Sequence, residues 1–222
     1  MLLYHFTSAK WALDTIRRQR IKVSRFNDLN DPFELYGAAL PNKLMRVKFR
    51  DWKNHLSDRY GLICFSKSWH NPLLWSHYAD RHRGVALVFD VPDDKCSEVS
   101  YHPERLVIDF ETKLSTTGLD EKDVNALLTT KFEHWKYEEE VRLFADVDNC
   151  IVENDLWFAE FNQDLSLKGI VHGPLCQISE KEIASALPSN QKLTIIKSRL
   201  AFKKFSVVRN ERVKDKTVTA IA

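Results

Sequence analysis

The sequence predicts an α+β architecture: one domain on a mixed, largely antiparallel central sheet with flanking helices. Three observations carry this. The chain has 222 residues, and at the usual ~150 residues per domain the default is a single domain spanning 1–222. Short apolar runs outnumber helical stretches, more than a simple strand–helix–strand alternation carries. No repeat, low-complexity tract or shift of composition divides the chain. A composition of 44% hydrophobic and 29% charged residues excludes disordered and collagenous classes.

The elements follow in order. LLYHF is apolar and aromatic and reads as a strand. Ser8 can cap the next helix, where Ala9, Ala12, Leu13 and Ile16 share a face and RRQR places cations at the negative end of the dipole. FNDLNDPFE is turn chemistry. A second helix is expected over about 43–58, burying Met45, Phe49, Trp52 and Leu56. Gly61 opens a strand, LICFS, and Asn71-Pro72 starts a helix that runs into LLWSHYADRHR. Gly84 is expected to stop that helix in a left-handed conformation. VALVFDV is continuous enough for a central, doubly covered strand. SEVSY and LVIDF read as short strands. Asp120 starts a helix whose Val124, Leu127, Leu128, Phe132 and Trp135 share a face. VRLFADV, KGIVHG, LTIIKSR and KFSVVRNE read as strands, and Ser179 with Glu182 forms a capping box between KGIVHG and LTIIKSR.

Charge and cysteines bound the function. Thirty-three basic against 31 acidic residues leave a net +2, so only a local patch would attract nucleic acid. The four cysteines are widely spaced and read as buried thiols. With no secretory leader and no 18-residue apolar window, a cytoplasmic protein with no membrane partner is expected. Glycine-rich phosphate loops and the G-x-S-x-G elbow are missing. His77 and His82 lie five apart, on different helix faces, so no metal is expected.

Three segments carry polar groups in suggestive patterns. Alternation sends His5 and Thr7 to one face of the first strand. CFSKSWHNPLLWSHYADRHRG holds Ser66, Ser68, Tyr78 and four histidines. In KYEEEVRLF, a strand beginning near Tyr137 would put Glu138, Glu140 and Arg142 on one face and Glu139 on the other, where burial and mutual repulsion can tune the acids. KSRLAFKKFSVVRNERVK interleaves cations with aromatics, a form compatible with nucleic-acid contact and with an ordinary amphipathic hairpin.

Taken together, LYHFT, LNDPFE, CFS, LLWSHYADRHRGVALVFD, W-x-YEEEVR and KGIVHGP resemble the bacterial DUF2971 family, whose name implies no activity. The chain also resembles the ADP-ribosyltransferase fold. LYHFTSAKWALDTIRRQRI is similar to that fold's opening strand and helix, ICFSKSWHNPLLWSHYA to its SKS-type turn and tyrosine-bearing helix, and YEEEVRLF to its glutamate strand. This His–Tyr–Glu order implies NAD as substrate. His5 and Thr7 would hold a ribose or the nicotinamide amide, with Ser66 in the turn beside them, and Tyr78 would stack on the ring. Glu140 would bind the nicotinamide ribose and stabilise its developing positive charge. Arg142 would hold the diphosphate or position Glu140, and Glu138 would activate the acceptor. The resemblance implies a macromolecular acceptor, protein or nucleic acid, and a toxin or phage-defence effector with an antitoxin or regulatory protein as partner. Two other readings stay open: an RNA-processing enzyme of the tRNA 2′-phosphotransferase type, and a non-catalytic binding module.

Overall fold

The computed structural model describes residues 1–109, 112–113 and 119–220. The first strand, β1 (Leu2–Thr7), leads into α1 (Ala9–Arg18), with the Ser8 side chain accepting from the Trp11 amide as its sequence position predicts. β2 (Arg20–Arg25), α2 (Lys43–Arg59), β3 (Tyr60–Ser66), α3 (Pro72–Tyr78) and β4 (Val85–Asp90) follow. Two short strands, β5 (Cys96–Glu98) and β6 (Ser100–His102), precede α4 (Glu121–Thr129), β7 (Thr130–Phe132) and a 3₁₀ turn over Glu133–Glu138. The chain then runs through β8 (Glu140–Asp146), β9 (Ile151–Glu153), β10 (Leu156–Glu160) and β11 (Ser166–His172). It ends with α5 (Glu180–Ala186), β12 (Lys192–Leu200), β13 (Val207–Arg209) and β14 (Lys216–Thr219).

The strand order is β13-β12-β11-β4-β1-β3-β2-β10-β9, with β14 beside β12, β8 beside β3 and β5 beside β8. Among the described residues only β11–β12 and the separate pair β6–β7 run as parallel strands, so the sheet is mixed and largely antiparallel, as expected. β4 lies between β1 and β11. Its alternation sends Leu87 and Phe89 into the cluster formed with Ala12, Ile16 and Ile183 of α1 and α5. Ala86 and Val88 go to the other face, under Trp75 and Ala79.

Several local expectations change. Leu106 of LVIDF makes only an isolated bridge to Ala38, and the run's last residue lies outside the described residues. The helix after Asp120 ends at Thr129, so Phe132 and Trp135 fall in β7 and the 3₁₀ turn. Gly84 is not left-handed. The chain turns instead through Asp80, Arg81 and His82, at φ of 45°, 53° and 68°, a conformation costing roughly 1–2 kcal/mol per L-residue. The Gly84 amide bonds the Ala79 carbonyl at 2.8 Å, and a Cβ on Gly84 would sit 2.2 Å from the Thr7 carbonyl oxygen. Glycine is required there for close approach, not for handedness.

The sheet's joint matters most for function. β3 pairs with β8 along its whole length, Tyr60↔Asp146 through Ser66↔Glu140. Its other edge is shared: Gly61 and Leu62 pair with β2, and Ser66 pairs with Tyr4 of β1. Between them Ile63, Cys64 and Phe65 have no strand partner on that edge. The sheet therefore forks between β1 and β3.

Candidate active site

A cavity of about 260 Å³ occupies the fork. β1 contributes Tyr4, His5 and Phe6, and β3 contributes residues 63–66. Tyr78 enters from the end of α3, Lys22 and Ser24 from β2, and Asp28, Asn30 and Glu34 from the turn-rich loop. Lys131, Glu138 and Glu140 complete the wall.

His5 shares the parity of Leu3, which packs on the α1 side. It reaches the cavity because the ladder is open beside it. Its Nδ1 lies 3.0 Å from the Cys64 carbonyl, which the fork deprives of a strand partner. A carbonyl only accepts, so Nδ1 carries the proton and Nε2 is left as an acceptor. Burial lowers the imidazole's pKa, against the pull of the Cys64 bond, which keeps the ring neutral. Burial and the nearby Glu140 charge push the Cys64 thiol well up, so it is no thiolate nucleophile.

The floor is a buried ion network. Arg142, 1% exposed, donates from Nε to Glu140 at 2.9 Å and from Nη2 to Glu34 at 2.6 Å and Glu140 at 3.2 Å. Lys131 donates to Glu138 at 2.5 Å and to Glu140 at 2.9 Å, with Glu34 3.7 Å away. The Tyr78 hydroxyl donates to the other Glu138 oxygen at 2.5 Å and accepts from Asn30 at 3.0 Å. Three carboxylates thus face two cations within ion-pair distance, and a third buried cation, Lys53, lies against Glu34 with its ammonium 3.3 Å from the Glu34 carbonyl.

The two glutamates differ sharply. Burial pushes Glu140 up, but Arg142 and Lys131 overcome it and hold the carboxyl at about 2. Burial raises Glu138 above the ordinary range, and Lys131 with Tyr78 only partly offsets it. Glu138, with a single cationic partner, is therefore the less compensated of the pair. Tyr78 itself is raised by burial and then by Glu138, so its hydroxyl stays a donor.

His5, Ser66, Tyr78, Glu138 and Glu140, distant in sequence, thus line one cavity. Thr7 does not reach it. It lies two residues past His5, paired with Val85, with its carbonyl against Gly84. Of the two roles expected of Arg142, the structure shows the positioning of Glu140 and not the holding of a diphosphate: the guanidinium is sealed behind the floor, bound to Glu140, Glu34 and the Leu128 carbonyl. Ser66 lines the wall, but its hydroxyl is bound to the Ser68 carbonyl at 2.8 Å and accepts from the Ser68 amide at 3.2 Å, closing the SKS turn. Glu138 and Glu140 do point together while Glu139 is exposed. The cause is not strand alternation. Glu138 ends the 3₁₀ turn and Glu139 is left-handed at φ 45° before β8 begins.

Sequence reasoning missed Glu34 and Lys131. Glu34 is delivered by a turn in which the Asp31 side chain accepts from the Phe33 amide and the Asp31 carbonyl from that of Glu34. The Asn/Asp/Pro density marked that turn but not the carboxylate at its end. Lys131 lies in TTKF, where no pattern singles it out. Among the described residues no cluster of three His, Cys, Asp or Glu side chains is placed to hold a metal ion, and no helix is long and apolar enough to cross a membrane.

Residues 74–143 match the model of DUF2971, a protein family of unknown function, as the WSHYADRHRG and YEEEVR strings lead one to expect. The matched stretch carries Tyr78, Lys131, Glu138, Glu140 and Arg142, while His5, Glu34 and Ser66 lie outside it. No curated protein and no solved structure matches the chain.

Proposed function

We propose that the fork is the active site of an NAD-dependent ADP-ribosyltransferase-like enzyme. One observation carries the reading: a buried floor whose Glu138 carboxyl has a single cationic partner, in a cavity also walled by a neutral imidazole and a tyrosine. Such a floor favours a ligand on which positive charge resides or develops. The cavity is close to the ~300 Å³ lower bound of small-molecule pockets. That is room for the reacting end of a dinucleotide, with its remainder outside.

The reaction breaks the bond between C1′ of the nicotinamide ribose and the ring nitrogen. Nicotinamide leaves with the bonding electron pair, the acceptor's nucleophilic atom bonds C1′, and the acceptor's proton passes to Glu138. Glu138 first accepts from the ribose hydroxyl and faces the charge that builds as the bond lengthens. His5 Nε2 accepts from the nicotinamide amide. Tyr78, tied to Glu138 and Asn30, holds the carboxylate in place and presents its ring to the nicotinamide. Glu140 is a positioning residue, holding Lys131 and Arg142 beneath Glu138. Lys22 takes the diphosphate role expected of Arg142, because Lys131, the other cation in the cavity wall, is committed to the three carboxylates.

The test is a labelled-NAD turnover assay on the wild type and Glu138→Gln, with thermal melts in the presence and absence of NAD. NAD should raise the melting temperature of both proteins, as mass action on the native state requires. Glu138→Gln should lower turnover at least ~100-fold, the typical effect of losing one preorganised electrostatic partner. Undiminished turnover in this variant, or no NAD-dependent shift in either protein, would refute the reading.

A further inference from the structure

We infer that the outer edge of the sheet, where β13 and β14 flank β12, binds single-stranded nucleic acid through the loops on either side of β13. This rests on the local surface and does not depend on the chemistry proposed for the fork. Residues 192–216 hold nine Lys and Arg against two Asp and Glu, while the whole chain nets only +2. The charge is thus concentrated at one edge, where β13 and β14 pair end to end along the same side of β12. β12 has nine residues, so the edge is about 30 Å long at ~3.3 Å per residue. That is a track, not a compact patch.

The hairpin between β12 and β13 supplies the second observation. Its tip exposes Phe202 at 83% and Phe205 at 99%, with Lys203 and Lys204 between them. This is not a loosely held loop. The Val207 amide donates to the His70 carbonyl at 2.8 Å, His70 Nδ1 donates to the Val207 carbonyl at 2.8 Å, and Ser206 Oγ donates to the His70 carbonyl at 3.2 Å. An anchored hairpin that holds two phenylalanines in water among cations presents stacking faces. The Arg199 guanidinium already lies over the Phe202 ring, 4.7 Å from its centroid, leaving the opposite ring face for a base.

Two of the cations are committed, Arg209 to Asp215 and Lys216 to Glu180. Lys203, Lys204, Arg212 and Lys214 are exposed and make no ion pair among the described residues. Unpaired cations along a line, with aromatic faces at its end, match a strand that offers a phosphate and a base at every step. An anionic lipid surface would satisfy the cations, but two phenylalanines separated by two lysines make no continuous apolar tip for insertion. His70 follows the SKS turn that carries Ser66, so the hairpin is braced against the rim of the fork.

The test is fluorescence anisotropy of the full chain with fluorescein-labelled 20-mer oligouridine and oligothymidine, over a salt series. Both should bind, with affinity falling linearly in log salt. Phe202→Ala with Phe205→Ala should weaken binding about tenfold or more at fixed salt and leave the salt slope unchanged. Lys203→Glu with Lys204→Glu should flatten the slope. All four side chains are exposed, and circular dichroism checks that the variants fold. Absence of binding at 50 mM salt would overturn the inference. So would unchanged binding in both variants, or substitution-sensitive binding to phosphatidylserine vesicles in place of the oligonucleotides.

Discussion

Replacing Glu140 with Gln separates a positioning role from a catalytic one, and the magnitude follows from the network. Glu140 is 4% exposed and its carboxyl is held at about 2, against an ordinary value near 4.5. A depression of that size at ~1.4 kcal/mol per unit corresponds to about 3 kcal/mol of stability from the ionised form. Gln imitates the protonated acid, so the variant should be about 3 kcal/mol less stable than the wild type at pH 7. The sign fixes the pH window. The folded pKa lies below the unfolded one, so the contribution is complete above about 4.5 and is lost as pH falls toward 2. Urea unfolding at pH 7, 4 and 2.5, followed by tryptophan fluorescence, reads the difference directly. The gap should be widest at pH 7, begin to close near pH 4 and fall to about a quarter of its full size at the lowest pH. Equal midpoints at pH 7, or a gap undiminished at pH 2.5, would show that Arg142 and Lys131 do not depend on this carboxylate.

Lys22→Gln should raise KM for NAD several-fold and leave kcat within about twofold, since a cation on the diphosphate adds binding far from the reacting bond; an unchanged KM would remove Lys22 from the site. Gly84→Ala should cost at least ~2 kcal/mol, because the new methyl meets the backbone oxygen of Thr7 at 2.2 Å and that of Ala79 at 2.9 Å; a melting temperature within a degree of wild type would contradict the close approach. His172, buried beside Lys197 with its Nδ1 2.8 Å from the ammonium, is lowered to about 4 by burial and then by that charge. Its stabilising neutral form is complete above about 6.5 and is lost as pH falls toward 4, so His172→Gln should flatten the stability profile across that range.

What was legible in the sequence was local. Ser8, Asn71, Asp120 and Ser179 cap helices as their types and spacing demand, since a cap needs only the next three residues. VALVFDV announced a central strand because burial on both faces removes alternation. Strand partnership is not local. RIKVSR carries three cations and hid β2, although Val23 and Ile21 are buried, Lys22 faces the cavity and the two arginines are absorbed at its margins. Arg20 binds Glu153 and lies over Phe158, and Arg25 lies over Trp157. The fork itself has no signature in any one segment. It exists because β3 divides one edge between β1 and β2, which are separated in sequence by α1.

The histidine shows how the fold and the site depend on one another. A strand whose edge loses its partners for three residues leaves a backbone carbonyl to be satisfied. His5 satisfies it with Nδ1, and that bond fixes the tautomer that presents Nε2 as an acceptor. Across the same strand, β8 pairs without a break and holds β3 straight. This brings Glu140 opposite Ser66 and leaves the preceding left-handed residue to turn Glu138 inward. A residue that only closed the gap could be replaced by any donor of similar reach, whereas one that also contacts a ligand could not. His5→Gln keeps a side-chain N–H donor and a separate acceptor but shortens the rigid distance between them. It should therefore retain most of the wild-type stability while weakening the NAD-dependent rise in melting temperature. Loss of stability with an undiminished NAD shift would assign His5 to the fold alone.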